Sequence, residues 1–417
     1  MPLKFKEPPV NKRMPVVKRT PRPIIRPVKR KVQIRELIRN LDPENRRIFG
    51  EIQKIIRENS GLKKVGNKLL ITFLRKHPKQ LGICRDLLEL AKKSESPQRV
   101  MMAFGKGLEY LKTIPKAKNV ELKIMRLFLQ INKDPKLQSL TLEERMNVAY
   151  GRLILGTENA EKLRTKRGIT YFMRYSPQQL ESQMYQIDRT YKPKYTSRDE
   201  LRLQQTRPTV LVVFNKHDNS GSFYFQSKSF RDLSKKFKVV IYETDNEQGF
   251  YNAVRNTHKT HGKITHLMIG GHGTHDKIVF GRKKKGESNE EAEKKTLDLT
   301  DIAELRKLSK YLEGVRIILE ACSTGGKRTP GKGEKSINRS KHNMRTALKT
   351  ALKAVKVFAP KKDSMGAKRY EIITDGGEIT IDKVVFELMK PIQDNIFNEE
   401  INDEIPQKIN TDGNIEK

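Results

Sequence analysis

The period at which apolar residues recur changes at Arg207-Pro208, and this change limits the chain to two differently built parts. Upstream, from about 32 to 190, the period is helical. Ile34, Leu37, Ile38 and Leu41 form one stripe and Ile48, Ile52, Ile55 and Ile56 the next; Leu69, Leu70, Phe73 and Leu74, then Leu87, Leu88 and Leu90, then Ile124, Leu127, Phe128 and Ile131 follow. Residues three and four apart share one face of an α-helix, so residues 32–190 are expected to form an all-α helical domain, a small bundle or array of helical hairpins. No fixed-period repeat marks a solenoid.

Downstream, short β-branched runs alternate with helix-like segments. Strands are expected at Thr209 to Phe214, Lys238 to Tyr242, Ile264 to Ile269 and Val315 to Ala321, with a short one at Lys277 to Phe280 and late ones near Val355 to Phe358 and Tyr370 to Thr374. Helices are expected at Ser227 to Lys236, Asn246 to His258, Thr300 to Leu312 and Asn343 to Lys353. Nearly continuous apolar strands separated by helices predict an α/β domain over 207–390, with a mostly parallel sheet flanked by helices. Ligands of such sheets bind beyond the carboxyl ends of the strands.

The flanks read differently. Residues 1–31 carry Pro8, Pro9, Pro15, Pro21, Pro23 and Pro27 among lysines and arginines, and are expected to be a disordered basic arm. Residues 391–417, with Glu399, Glu400, Asp403 and Glu404, are expected to be a free acidic tail. A net charge of +37 predicts attraction to polyanions such as nucleic acid or anionic lipid, the basic arm being the natural contact. The lysines are spread along the whole chain, so a general bias in lysine usage explains the charge equally well. No apolar run approaches the roughly 18 residues that a membrane span needs, and the N-terminus lacks the apolar run of a secretory signal. A soluble protein of the cytoplasm is therefore expected. Its two cysteines, Cys84 and Cys322, form no disulfide framework, which fits a reducing compartment. Cys84 has no motif around it and reads as a core thiol. No cofactor is expected, and no histidine has the paired spacing of a metal site.

Two strand ends carry chemistry. The third main strand runs into Gly270-Gly271-His272-Gly273 and the fourth into Glu320-Ala321-Cys322-Ser323-Thr324-Gly325-Gly326. A thiolate needs a base or cation nearby to be populated near neutral pH, and an imidazole on the neighbouring strand end can provide it. The glycines let a carbonyl approach the backbone, and the amides of Gly273 and Cys322 are natural donors to a developing oxyanion. Taken singly, a glycine-flanked histidine is more often a turn residue and a strand-end cysteine a small core residue; joint placement after two strands is what singles them out.

At these residues the chain resembles the caspase-like cysteine peptidases, the group of caspases, legumains, metacaspases, clostripain and gingipains. The resemblance runs from about Thr209 to about Phe358. It covers the His272 and Cys322 motifs, the 50-residue interval between them, the hairpin Lys277-Ile-Val-Phe-Gly281 and the helix start Leu297-Asp-Leu-Thr-Asp-Ile302. Glu320-Ala321-Cys322 is most like legumain; the Asn215-Lys216 turn and the His–Cys interval are more like caspases. Ser-Thr-Gly-Gly after Cys322 departs from the Arg-Gly of caspases, and a charged insertion, Arg282 to Thr296, separates the hairpin from its helix as a solvated or substrate-facing loop.

The resemblance implies a cysteine endopeptidase acting on protein substrates. Cys322 would form the acyl-enzyme, and His272 would polarise the scissile bond or protonate the leaving amine. Glu320 matches a position lining the P1 pocket, where an acid favours Arg or Lys, while the legumain-like context favours Asn. Asp218 and Asp363 are further acids on loops past strand ends that could join this pocket, or simply be exposed loop acids. Asn215, Asn219 and Asp276 are candidates to orient His272, and His275 is expected to be an exposed turn residue. The charged insertion over 281–296 and the Gly-, Lys- and Ser-rich loop over 327–341 read as surface loops or processing segments. The competing expectation is a catalytically inactive caspase-like scaffold whose basic helical domain and arm hold nucleic acid or another polyanion. The sequence is compatible with a monomer or a homodimer.

Overall fold

The computed structural model describes residues 28–94, 97–112, 119–216, 227–281, 286–322, 324–325, 343–361 and 364–388. The chain begins as helices: α1 (Val28–Arg39), α2 (Pro43–Glu58), α3 (Lys63–Lys76), α4 (Leu81–Lys92), α5 (Pro97–Lys112), α6 (Val120–Ile131), α7 (Leu142–Leu155), α8 (Thr157–Arg167), α9 (Pro177–Ile187) and α10 (Arg198–Gln205). Local chemistry sets where several of them start. Asp42 accepts from the Asn45 amide with Pro43 in the first turn, and Thr141 with Glu144 and Ser176 with Gln179 form capping boxes, each satisfying amides that have no partner inside the helix. Helix α1 starts at Val28, inside the segment expected to be a disordered arm; the rest of that arm lies outside the described residues.

The expected stripes lie on the buried faces, with Leu37, Leu90 and Leu127 half-buried at their edges. Ile48, Ile52, Ile55 and Ile56 of α2, Leu69, Leu70, Phe73 and Leu74 of α3, and Ile124, Phe128 and Ile131 of α6 are all buried. Each such side chain contributes about 1.5–3 kcal/mol on burial. Cys84 is fully buried in this core, and burial pushes its thiol pKa up, as expected of a structural thiol.

From Thr209 the chain alternates: β1 (Thr209–Asn215), α11 (Ser227–Ser234), β2 (Lys238–Thr244), α12 (Glu247–His261), β3 (Ile264–Gly270), β4 (His272–Gly273), β5 (Lys277–Val279), α13 (Asn289–Glu293), β6 (Thr296–Asp298), α14 (Ile302–Leu312), β7 (Arg316–Glu320), α15 (Met344–Ala351), β8 (Lys356–Phe358), β9 (Ser364–Asp375) and β10 (Glu378–Leu388). Five strands form a sheet in the order β2-β1-β3-β7-β8, and every neighbouring pair is parallel. This is the α/β architecture expected.

Strand period divides the core. Leu211 and Val213 of β1 face α12, α14 and α15 in one apolar cluster. Val210, Val212 and Phe214 face the other way, into a cluster continuous with the helices of the first part. The helical part thus forms one cover of the sheet and shares its core.

Three features differ from expectation. Tyr370 to Thr374 does not extend the main sheet. It belongs to an antiparallel hairpin, β9–β10, whose two-residue loop Gly376-Gly377 has φ of 54° and 85°. Positive φ at both loop positions matches the right-handed twist of the flanking strands, and glycine adopts it without strain. The hairpin lies on the same face as the helical part, with Ile381 fully buried there. Second, the charged insertion is not all loop: Ser288 and Glu291 cap α13, and β6 pairs with β5. Residues 282–285 lie outside the described residues. Third, β4, β5 and β6 make a small antiparallel sheet of their own beyond the end of β3.

The helical part also docks by a buried polar link. Arg174, fully buried, donates to the carbonyl of Asn215 at the end of β1 (2.6 Å) and pairs with Glu243 on β2 (Nη1 to Oε1 3.5 Å). Glu243 also accepts from the amides of Thr170 (2.8 Å) and Tyr171 (3.1 Å) and from the hydroxyl of Tyr175 (3.2 Å). A buried charge is tolerated only when paired and hydrogen-bonded in this way.

Candidate functional site

Strand register brings the two reactive residues to one rim. Gly270, the last residue of β3, pairs with Glu320, the last of β7, and the Gly271 amide still reaches the Glu320 carbonyl (3.4 Å). His272 and Cys322 each stand two residues past this shared row, on strands that lie about 4.8 Å apart in a sheet.

Glycine makes the approach close. A Cβ at Gly273 would sit 2.8 Å from the Ala321 Cβ and 3.1 Å from the Cys322 carbonyl oxygen; one at Gly271 would sit 2.7 Å from the Val279 carbonyl oxygen. The backbone after His272 therefore lies directly against the backbone of Cys322. Both residues are half-buried, and the His272 Nε2 itself is buried.

One helix start holds both loops. The Met344 amide donates to the His275 carbonyl (2.8 Å) and the Arg345 amide to the Thr324 carbonyl (3.3 Å). The N-terminus of α15, capped by Asn343, thus lies beside both strand extensions and carries the positive end of a helix dipole. The Thr324 hydroxyl closes the turn onto the Ala321 carbonyl (3.0 Å), and the Gly325 amide donates to Pro360 (2.9 Å).

The hairpin completes the surroundings. The Cys322 Sγ lies 3.6 Å from the Ser364 carbonyl at the start of β9, as a thiol donor would. Glu320 is only 3% exposed, and the Tyr370 hydroxyl donates to its Oε1 (2.7 Å). Burial pushes the Glu320 carboxyl up to about 7, against the pull of the Tyr370 hydroxyl and the Ala367 amide. Its Oε2 is buried without a hydrogen-bond partner among the described residues. Burial, with the Glu320 charge beside it, raises the Tyr370 phenol well above its ordinary value.

Family models, curated proteins and solved structures yield no match to the chain.

The other expected residues separate. Asp276 accepts from the Thr274 hydroxyl (2.6 Å) and stands 3.7 Å from His275 Nε2, so its carboxylate serves the turn between β4 and β5. His275 was expected to be exposed; its side chain is 23% exposed, because α15 packs onto that turn. Asn215 is fully buried at the end of β1, with its carbonyl committed to Arg174. Asp218, Asn219, Asp363 and the loop 327–341 lie outside the described residues, as does the tail 391–417. Among the described residues no group of three or more His, Cys, Asp or Glu could hold a metal ion, and no helix is long and apolar enough to cross a membrane.

Tyr370, Ser364 and Ala367 were missed as neighbours of the site. A signal for their hairpin existed: Asp375-Gly376-Gly377 between alternating runs is the pattern of a tight β-turn.

Proposed function

We propose that the α/β part is a cysteine endopeptidase of the caspase-like group, cutting after a basic residue. Cys322 attacks the scissile carbonyl as thiolate, and the amide C–N bond breaks as the leaving amine takes a proton from His272. The resulting thioester is hydrolysed by water, which returns the thiol and releases the carboxylic acid. The amides of Gly273 and Cys322 are the oxyanion donors of this proposal.

The observation that carries the reading is the contact of the Gly273 backbone with that of Cys322, at the ends of two paired parallel strands. It supports a shared cleft for sulfur and imidazole. The α15 N-terminus beside both loops adds a partial positive charge that favours thiolate. Glu320, whose Oε2 is buried without a hydrogen-bond partner among the described residues, is the acid proposed to meet an Arg or Lys side chain at P1, which must displace what now covers it. Asn remains the competing P1 residue.

The test is hydrolysis of fluorogenic peptides ending in Arg, Lys, Asn or Asp by the full chain and by Cys322→Ala. Release from Arg or Lys peptides that disappears in the variant is expected. Equal release by both proteins would remove the enzyme reading, leaving an inactive scaffold.

A further inference from the structure

The amino rim of the sheet, opposite the His272–Cys322 rim, holds a cavity of about 770 Å³. Its walls bring together Arg207, Lys235, Lys236, Lys238, His261 and Lys263, with no Asp or Glu among the lining residues. Thr209 and Thr265, at the starts of β1 and β3, form its floor, and Gly377 and Ile379 of the β9–β10 hairpin form one side. We propose that this cavity binds a compact phosphorylated small molecule carrying at least one dianionic phosphate.

The basic residues also answer negative charge close by. Helices α10, α11 and α12 end at Gln205, Ser234 and His261 beside this cavity, so their carbonyl ends contribute about −1.5 charges in total, at about −0.5 each. Arg207 donates to the Ser234 carbonyl and answers part of that. Lys235 is held by Asp232 (2.8 Å), and Glu200 acts on Arg207 from outside the lining. Five lysine and arginine charges in the lining outweigh these three helix ends and two carboxylates, and Arg167 and Arg189 add to the excess from outside it. That positive excess favours an anionic ligand in a depression open to solvent.

The cavity is also under electrostatic strain. Arg207 is lowered by burial, and Lys238 by burial and then by Arg189. His261 is lowered to about 4 by burial and by Arg167, Lys238 and Arg189. Arg207 and Lys238 thus carry their charges against burial, while His261 is neutral and accepts from Arg167 (3.2 Å). An anion supplies the missing counter-charge, and phosphate accepts hydrogen bonds from arginine and lysine together.

The experiment is calorimetric titration of the full chain with inorganic tripolyphosphate at fixed moderate salt. Lys236 and Lys263 are exposed, so Lys236→Glu/Lys263→Glu leaves the core untouched. Lys133→Glu/Lys136→Glu, also exposed, makes the same charge change on the helical part. Saturable binding that weakens by about tenfold or more in the first variant and stays within about twofold in the second is expected. Hydrogen exchange at the hairpin turn, which forms one wall, should slow on binding. Equal weakening in both variants would reduce the effect to the general charge of the chain and overturn the proposal. Displacement of tripolyphosphate by single-stranded oligonucleotides with affinity rising with length would also overturn it, assigning the surface to nucleic acid.

Discussion

Tyr370 on β9 donates its hydroxyl to Glu320 at the end of β7 across 2.7 Å, and with this bond the hairpin reaches the residue two positions before Cys322. The same strand begins with the Ser364 carbonyl facing the Cys322 sulfur. At its far end the hairpin is tied down by His266 on β3, whose Nε2 accepts from the Ile381 amide (3.0 Å). The hairpin thus runs along one face of the sheet from the amino rim to the carboxyl rim.

Replacing Tyr370 with Phe removes the donor while keeping the ring. Glu320 is then left buried with less support, so its pKa, already near 7, moves further up. A loss of about 1–3 kcal/mol in unfolding free energy is expected from urea denaturation at pH 7. If Glu320 receives a basic P1 side chain, kcat/KM for Arg peptides falls in the variant and its rise with pH shifts to higher pH. An unchanged midpoint and an unchanged pH profile would count against the bond.

His266 and Glu320 oppose one another in their effect on acid stability. His266 is 1% exposed and burial lowers it to about 3 from 6.5, so its contribution is full above pH 6.5 and is lost as pH falls toward 3. Glu320 is raised to about 7 from 4.5, so its contribution is full below pH 4.5 and is lost as pH rises to 7. Between pH 4.5 and 6.5 the two slopes cancel. His266→Gln keeps an acceptor for Ile381 and removes the titration. Subtracting its unfolding free energy from that of wild type should give a line falling by about 1.4 kcal/mol per pH unit as pH is lowered through that window. A flat difference would mean that the imidazole is not held neutral.

Gly273→Ala tests the approach of the two loops. The new Cβ would meet the Ala321 Cβ at 2.8 Å, a contact that backbone must move to relieve. Overpacking of this kind costs about 1–3 kcal/mol. Any peptidase activity should fall far more than stability does, because the displaced element carries His272; a variant with full activity would separate the loop contact from function.

Glu243→Gln tests how the helical part is held. The change leaves Arg174 as a buried charge without its counter-ion, at a cost of about 3–5 kcal/mol. Limited proteolysis should then release the helical part from the sheet more readily than in wild type. Equal proteolysis rates would show that the shared apolar core alone maintains the docking.

The parallel sheet was legible in the sequence because each strand is a short, nearly continuous apolar run and each helix carries its own stripe. The glycines around His272 and Cys322 were legible as points of close approach because glycine alone permits them. The hairpin β9–β10 was half legible: Tyr370 to Thr374 was readable as a strand, but its partner 378–388 was not read from the Asp375-Gly376-Gly377 turn. His275 was misjudged because a four-residue turn looks exposed until the helix that packs on it is placed.

By itself the sequence determined the helical stripes and the strands of the parallel sheet, because periodicity acts over a few neighbouring residues. It also determined that one sulfur and one imidazole follow two such strands. Only the tertiary structure decided that those strands are neighbours in register, that Tyr370 reaches Glu320 from 50 residues away, and that six basic residues from separate segments line one cavity. These relationships depend on which surfaces pack together across long stretches of chain, and local spacing carries no record of that choice.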